Sequence, residues 1–308
     1  MAKQRFKGQR ALVTGASSGI GAEIARRMAA EGANLVLTAR RKDRLDKLAT
    51  ELTKAHGVKV AVVALDLADP AAPQRLFDET EGVDMAVDVL VNNAGFGAYL
   101  DFVDVDWDRY QGMLQVNVVA LTQLMRLFAP SMIERRHGHI MNVASIGAYL
   151  PCPTFAVYAA TKAYVRNLTE AFDYELKGTG VRAISVCPGP TTTEFMDHAN
   201  QKLKSGSELA MMSAKRCANI GVNKMIAGRR NVVTGFLNAL SMWLLRFVPR
   251  SWYPFFAKIS MDMGVESTGP TKIAAAPAPA ALPAPKDEAP AGLPAPKEDP
   301  PQEDAPAS

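Results

Sequence analysis

Apolar positions recur with two periods along this chain. The runs Arg10–Thr14, Asn34–Thr38, Val58–Leu65, Val87–Val91, His139–Ala144, Val181–Cys187 and Asn231–Thr234 are short, rich in valine, leucine and isoleucine, and read as strands buried on both faces. Between them apolar residues fall at helical spacing. The helices are Ala22–Glu31 closed by Gly32, Asp43–His56, Pro70–Gly82 behind Asp69, a long stretch within Asp106–Arg136 interrupted or ended near Pro130, and Thr154–Lys177 closed by Gly178. Such alternation predicts an α/β fold, a doubly wound parallel sheet in a single domain over residues 1–235, with ligands at the carboxyl ends of its strands.

The pattern changes after the last strand. Residues 236–263 hold a dense apolar and aromatic segment, Phe236 to Leu245 and on through Trp252 and Phe256, with Arg246, Arg250 and Lys258 beside it. The run from Phe236 to Leu245 is too short to span a bilayer, and the segment reads either as an interfacial amphipathic segment, with membrane contact through 236–260, or as a subunit contact. Residues 264–308 carry eleven of the twenty prolines and no aromatic residue, and they read as an extended, disordered acidic tail.

Composition narrows the classes. A 308-residue chain that is 48% hydrophobic can bury a full core. Residues from 264 on hold three Lys and seven Asp or Glu, a charge of −4, so the net charge of +4 leaves +8 on residues 1–263. That excess suits an anionic cofactor, an anionic substrate or an acidic membrane surface. No basic run interleaves with aromatics beyond Arg40-Arg41-Lys42, so no nucleic-acid partner is expected. Cys152, Cys187 and Cys217 lack metal-binding or disulfide spacing and point to a reducing compartment with no metal site. Met1–Gly8 has no apolar core of a signal peptide, and no uninterrupted apolar run reaches the ~18 residues of a spanning helix. The expected location is cytoplasmic, with peripheral association at the inner face of a membrane left open by the 236–260 segment.

Chemistry concentrates at the strand ends. Thr14-Gly15-Ala-Ser17-Ser18-Gly19-Ile20-Gly21 joins the first strand to the first helix, and residues without a Cβ let a pyrophosphate approach backbone N–H groups at a helix N-terminus. After the second strand, Ala39 and Arg40 stand where an NAD site carries a carboxylate for the ribose 2′-OH, which favours a 2′-phosphate and NADP(H) over NAD(H). Tyr158 and Lys162 lie four apart on one helical face, the spacing at which a cation favours a phenolate. Alone, that spacing also describes a surface tyrosine beside a solvated lysine. Ser145, at the end of the fifth strand, stands where a hydroxyl can hold a substrate oxygen. Asn117, among apolar neighbours, needs buried partners and by itself reads first as a cap or bridge between backbone groups.

Taken together, these residues resemble the short-chain dehydrogenase/reductase family over roughly residues 7 to 235. The likeness rests on the glycine motif, Asp66 after the third strand, Asn92-Asn93-Ala94-Gly95 after the fourth, Asn117, Ser145, Tyr158-x-x-x-Lys162 and Pro188-Gly189-x-x-x-Thr193, in family order. It implies a Rossmann-type fold in which Tyr158 is the general acid or base and Ser145 holds the substrate oxygen. Lys162 would lower the tyrosine pKa and bind the nicotinamide ribose, and Asn117 would anchor a proton-relaying water. Asp66, with Leu67, would contact adenine; Asn93, Ala94 and Gly95 would line the cofactor site; Pro188, Gly189, Thr191 and Thr193 would hold the carboxamide. The segment Glu194–Gly228, with Phe195, Met196, Met211 and Met212, would form a lid of one or two helices. A homo-oligomer follows by analogy. The expected function is reduction of a carbonyl, or oxidation of a secondary alcohol, with NADP(H), on a 3-oxoacyl or sterol-like substrate. The alternative is an NADP(H)-binding sensor or scaffold without turnover.

Overall fold

The computed structural model describes residues 4–83, 85–199, 201–203 and 211–267. Strands β1 (Arg10–Thr14), β2 (Asn34–Ala39), β3 (Val60–Ala64), β4 (Val89–Asn92), β5 (Gly138–Val143), β6 (Val181–Cys187) and β7 (Asn231–Val233) form one parallel sheet in the order β7-β6-β5-β4-β1-β2-β3. The order reverses between β1 and β4, and the carboxyl ends on either side of that switch open the crevice in which such sheets bind ligands.

Helices cover both faces. On one, α1 (Gly19–Ala30), α2 (Lys42–His56) and α8 (Ala214–Ile226) pack through Ile24, Met28, Leu45, Leu48 and Val222 onto Val13, Leu35 and Met141. On the other, α3 (Ala72–Asp78), α5 (Leu121–Glu134) and α6 (Ala156–Glu175) bring Leu76, Leu124, Phe128 and Val165 onto Leu12, Leu90 and Ile140. Neighbouring residues of β1 enter opposite clusters, which is why these strands read as unbroken apolar runs. The remaining helices are α4 (Trp107–Leu114), α7 (Phe195–His198), α9 (Phe236–Leu244) and α10 (Tyr253–Gly264).

Several expected boundaries move. Helix α3 starts at Ala72 instead of Pro70, because the Asp69 carboxylate accepts from Ala71 N–H and closes a turn first. Helix α6 begins at Ala156, not Thr154, whose φ of 62° cannot open a helix. The long helix is broken elsewhere than expected: α5 runs through Pro130, and the irregularity is a π-turn segment at Gln115–Ala120, centred on Asn117. The combined stretch Trp107–Glu134 is long and apolar enough to cross a bilayer by composition, but half of it is buried against the sheet and α3, as a core helix is.

After β6 the chain makes two short pairings, Thr191–Thr192 with Met212–Ser213 and Gln201–Leu203 with Val265–Ser267. The second ties the first residues of the expected tail, 265–267, back to the lid. The rest of that tail lies outside the described residues.

Candidate active site

The glycine loop is locked to the loop after β4. Gly15 and Gly19 have φ of 66° and 56°, a region in which only glycine is relaxed. Asn93 Nδ2 donates to the carbonyls of Thr14 (3.0 Å) and Gly15 (3.3 Å), while Thr14 Oγ1 accepts from the N–H groups of Asn93 and Ala94, each at 3.0 Å. A Cβ on Gly15 or Gly21 would collide with Asn93 Nδ2. Gly15, Ser17, Ser18, Gly19 and Ile20 therefore front a cavity of about 490 Å³ at the amino end of α1, whose dipole favours a phosphate. Thr14 and Gly21 stand behind this wall and support it.

Asp66, Leu67, Arg40 and Arg41 also line the cavity. Asp66 is oriented by Ala68 N–H at 3.0 Å. Arg40 is the residue expected at a 2′-phosphate, but Arg41 is the one built into the loop: its guanidinium donates to Ser17 Oγ (3.1 Å) and Ser18 Oγ (2.8 Å). Glu194, at the head of the lid, accepts from Arg41 (2.8 Å) and Arg44 (2.5 Å), and these bonds hold its carboxyl down at about 2. No local pattern marks Arg41, because its partners are 23 to 153 residues away.

Ser145, Tyr158 and Lys162 converge on the same cavity. Ser145 follows β5, and its Oγ accepts from Gly147 N–H at 3.1 Å, which aims it inward. Its hydroxyl lies on the same wall as the Tyr158 phenol and favours the ionised phenol. The phenol ring is stacked on Phe155 (centroids 4.3 Å) and tilted against Phe195 (5.3 Å). Burial against these rings pushes the Tyr158 pKa up, the Ser145 hydroxyl pulling back less strongly. This corrects the expected depression by Lys162. The lysine Nζ is 5.8 Å from the tyrosine ring centroid and donates to Val143 O at 2.8 Å; its own burial lowers it to about 8. Tyr158 is thus held as the neutral phenol, the form that can give a proton.

Asn117 is fully buried and lies beneath the cavity, outside its lining. Its Oδ1 accepts from Phe96 N–H (3.1 Å) and its Nδ2 donates to Phe96 O (3.0 Å) and Thr161 Oγ1 (3.1 Å), while Thr161 Oγ1 donates to Tyr158 O (2.7 Å). The side chain therefore pins the β4 loop to the turn that carries Tyr158. A Cβ on Gly95 would sit 2.9 Å from Asn117 Oδ1 and 3.2 Å from Lys162 Nζ, so glycine there lets loop and lysine meet.

Pro188, Gly189, Thr191 and Thr193 line the opposite wall. Pro188 O accepts from Ile146 N–H, and Thr193 Oγ1 accepts from Phe195 N–H at 3.3 Å, so this loop sets where the lid begins. Beyond it, Leu150, Phe155, Phe195, Met196, Ala257 and Met261 form an apolar end. Of the expected lid residues Phe195 and Met196 reach the cavity. Met211 and Met212 are outside its lining, and Met212 is spent on the pairing with Thr191. Arg109, a further lining residue that the sequence did not reveal, joins Gly97 O (2.9 Å) to His198 O (2.7 Å) and so ties the β4 loop to the lid helix.

A switch-point crevice with a glycine cradle, a cation-rich end and a Ser–Tyr–Lys group defines a nicotinamide-dependent oxidoreductase. The chain belongs to the short-chain dehydrogenase family, whose model matches residues 9–204. It is 37% identical over 201 residues to a short chain dehydrogenase of Pseudocercospora fijiensis, an alignment that spans 63% of this chain and 65% of that protein. Among solved structures it is similar to a short-chain dehydrogenase from Sphingobium yanoikuyae in complex with NADPH (29% identity, TM-score 0.68, 79% of this chain and 97% of that one). It is also similar to a short chain dehydrogenase/reductase from Burkholderia phymatum in complex with NAD (27% identity, TM-score 0.70, 79% and 94%).

Proposed function

We propose that the protein interconverts a lipophilic carbonyl compound and its secondary alcohol with NADP(H), Tyr158 serving as general acid and base. The observation that carries this reading is the convergence of Ser145, Tyr158 and Lys162 on the wall of one cavity that is also lined by the glycine cradle and by a group of apolar side chains. The residues fit a dinucleotide: glycine stands at the points where a Cβ would strain or block the loop, and a helix N-terminus faces the cavity. When bound, the nicotinamide supplies or accepts the hydride.

The residues of the chain do the rest. Ser145 orients the carbonyl oxygen, Tyr158 donates its phenolic proton to that oxygen during reduction, and the charge of Lys162 stabilises the phenolate left behind. In oxidation the same proton returns to Tyr158. Asn117 keeps the turn bearing Tyr158 in register with the β4 loop. The NADP(H) preference is supported by Arg41, aimed at Ser17 and Ser18, and by Arg40 on the same wall. A lipophilic substrate is supported by the chamber of Phe155, Phe195, Met196 and Met261.

Wild-type protein is expected to consume NADPH in the presence of bulky apolar ketones and to form alcohol in equal amount, measured by absorbance and product analysis. Binding of NADPH with no alcohol from a broad ketone and aldehyde panel would instead favour the sensor reading.

Cofactor affinity should also depend on pH. With its pKa down at about 8, Lys162 is charged below that value and neutral above it. NADPH affinity, followed by fluorescence titration, is therefore expected to weaken as pH rises through about 8. The step should vanish in Lys162→Met, which is weak at every pH.

A further inference from the structure

Two helices in this structure are turned inside out. A surface helix of a globular protein buries its apolar stripe. In α9 and the turn that follows, Phe236, Leu237, Leu240, Trp243, Leu244 and Phe247 are spaced to form one stripe, and all six are exposed; Phe236 is 79% and Phe247 71% accessible. The turn before α10 and its first turns repeat the pattern with exposed Trp252, Phe255, Phe256 and Ile259. The clusters are ordered, not splayed: Trp243 packs edge-on against Phe247 at 5.2 Å, Phe255 lies 5.7 Å from Phe256, and Tyr253 OH donates to Leu245 O at 2.7 Å, joining the two helices.

Their inner faces are planted in the active site. Asn238 of α9 lies against Gly189, and Ala257, Ser260 and Met261 of α10 line the cavity. From Phe236 to Asp262 the charged side chains are Arg246, Arg250, Lys258 and Asp262, of which Lys258 and Asp262 pair with each other. The surplus is cationic: Arg246 and Arg250 are exposed beside the aromatic residues along the chain. Tryptophan, tyrosine and arginine beside an outward apolar stripe match the headgroup region of a bilayer.

We propose that the α9–α10 face docks onto an anionic lipid bilayer, bringing the apolar chamber to the membrane surface. A second copy docked through the same face would bring the same cationic surplus to the contact, whereas anionic headgroups neutralise it. The chain's own residues after 267 offer only Ile273, Leu282 and Leu293 as large apolar side chains, too few to cover ten exposed ones.

Flotation of the full-length protein with vesicles tests this without any assay of turnover, so its failure is distinct from failure of the proposed reaction. Wild type is expected to float with vesicles of phosphatidylcholine and phosphatidylglycerol and much less with phosphatidylcholine alone. The double variant Phe247→Ser/Phe255→Ser, at exposed positions, should lose about tenfold or more of the partition coefficient. Arg246→Gln/Arg250→Gln should abolish the preference for anionic vesicles, with thermal melting unchanged in both variants. Two results overturn the proposal: wild type staying with the unbound protein on both vesicle types, or wild type forming a dimer that Phe247→Ser/Phe255→Ser dissociates while neither protein floats.

Discussion

Tyr158→Phe is expected to lower turnover about 10²- to 10⁴-fold while NADPH still binds, the range that loss of a positioned general acid produces. The substitution removes one oxygen and leaves the packing. The ring is 8% accessible and is held by Phe155 and Phe195, contacts that phenylalanine keeps. What is lost is the hydroxyl on the cavity wall shared with Ser145, leaving the substrate oxygen of the proposed reaction without a proton source. Cys152, which also lines the cavity, is a poor substitute: its thiol is pushed up to about 11 by burial and donates to Leu150 O. Single-turnover kinetics and cofactor titration on the same preparation separate the outcomes. Turnover within tenfold of wild type would remove Tyr158 from the role, and loss of NADPH binding in step with turnover would make the defect structural.

Arg41→Ala should weaken NADPH binding about ten- to a hundredfold and leave NADH binding nearly unchanged. Charged hydrogen bonds contribute about 1.5–3 kcal/mol each, which sets that range for loss of the guanidinium from a phosphate. Arg41 is partly buried between the glycine-loop serines and Glu194, so its position is more constrained than that of exposed Arg40. The pairing with Glu194 makes the measured effect a net one, because the carboxylate competes for the same donor. Fluorescence titration with both cofactors decides the matter. Equal weakening of the two would show that Arg41 serves only to hold Ser17 and Ser18, and equal affinity of wild type for both would remove the case for NADP(H) preference.

Most of the fold was legible because strand–helix alternation is written locally. Arg10–Thr14 and Val181–Cys187 were read to the residue. Val58 and Leu65 were read into β3 but fall outside it, since a strand ends where its neighbour's ladder does: β2 pairs with β3 only from Val60 to Ala64. Pro130 looked like a helix breaker, yet packing of Phe128 and Met132 in the core carries α5 past it. The actual irregularity lies at Asn117, where a buried amide takes Phe96 and Thr161 as partners from separate segments. No pattern around residue 117 contains them.

The same division holds at the site. Spacing along one helix was enough to put Tyr158 and Lys162 on a common face, and a strand end was enough to put Ser145 near them. Period, turn residues and i, i+4 neighbours are properties of the chain itself, so the class of fold and the grouping of Ser145, Tyr158 and Lys162 followed from sequence alone. Electrostatics and exposure are not local in that sense. Whether the phenol is raised or lowered depends on the rings that bury it and on the 5.8 Å to the lysine Nζ, and which arginine faces the glycine loop depends on where β2 delivers it. Likewise, an apolar stripe in sequence says that a helix has a face to bury; only the tertiary packing decided that the stripes of α9 and α10 point away from the core.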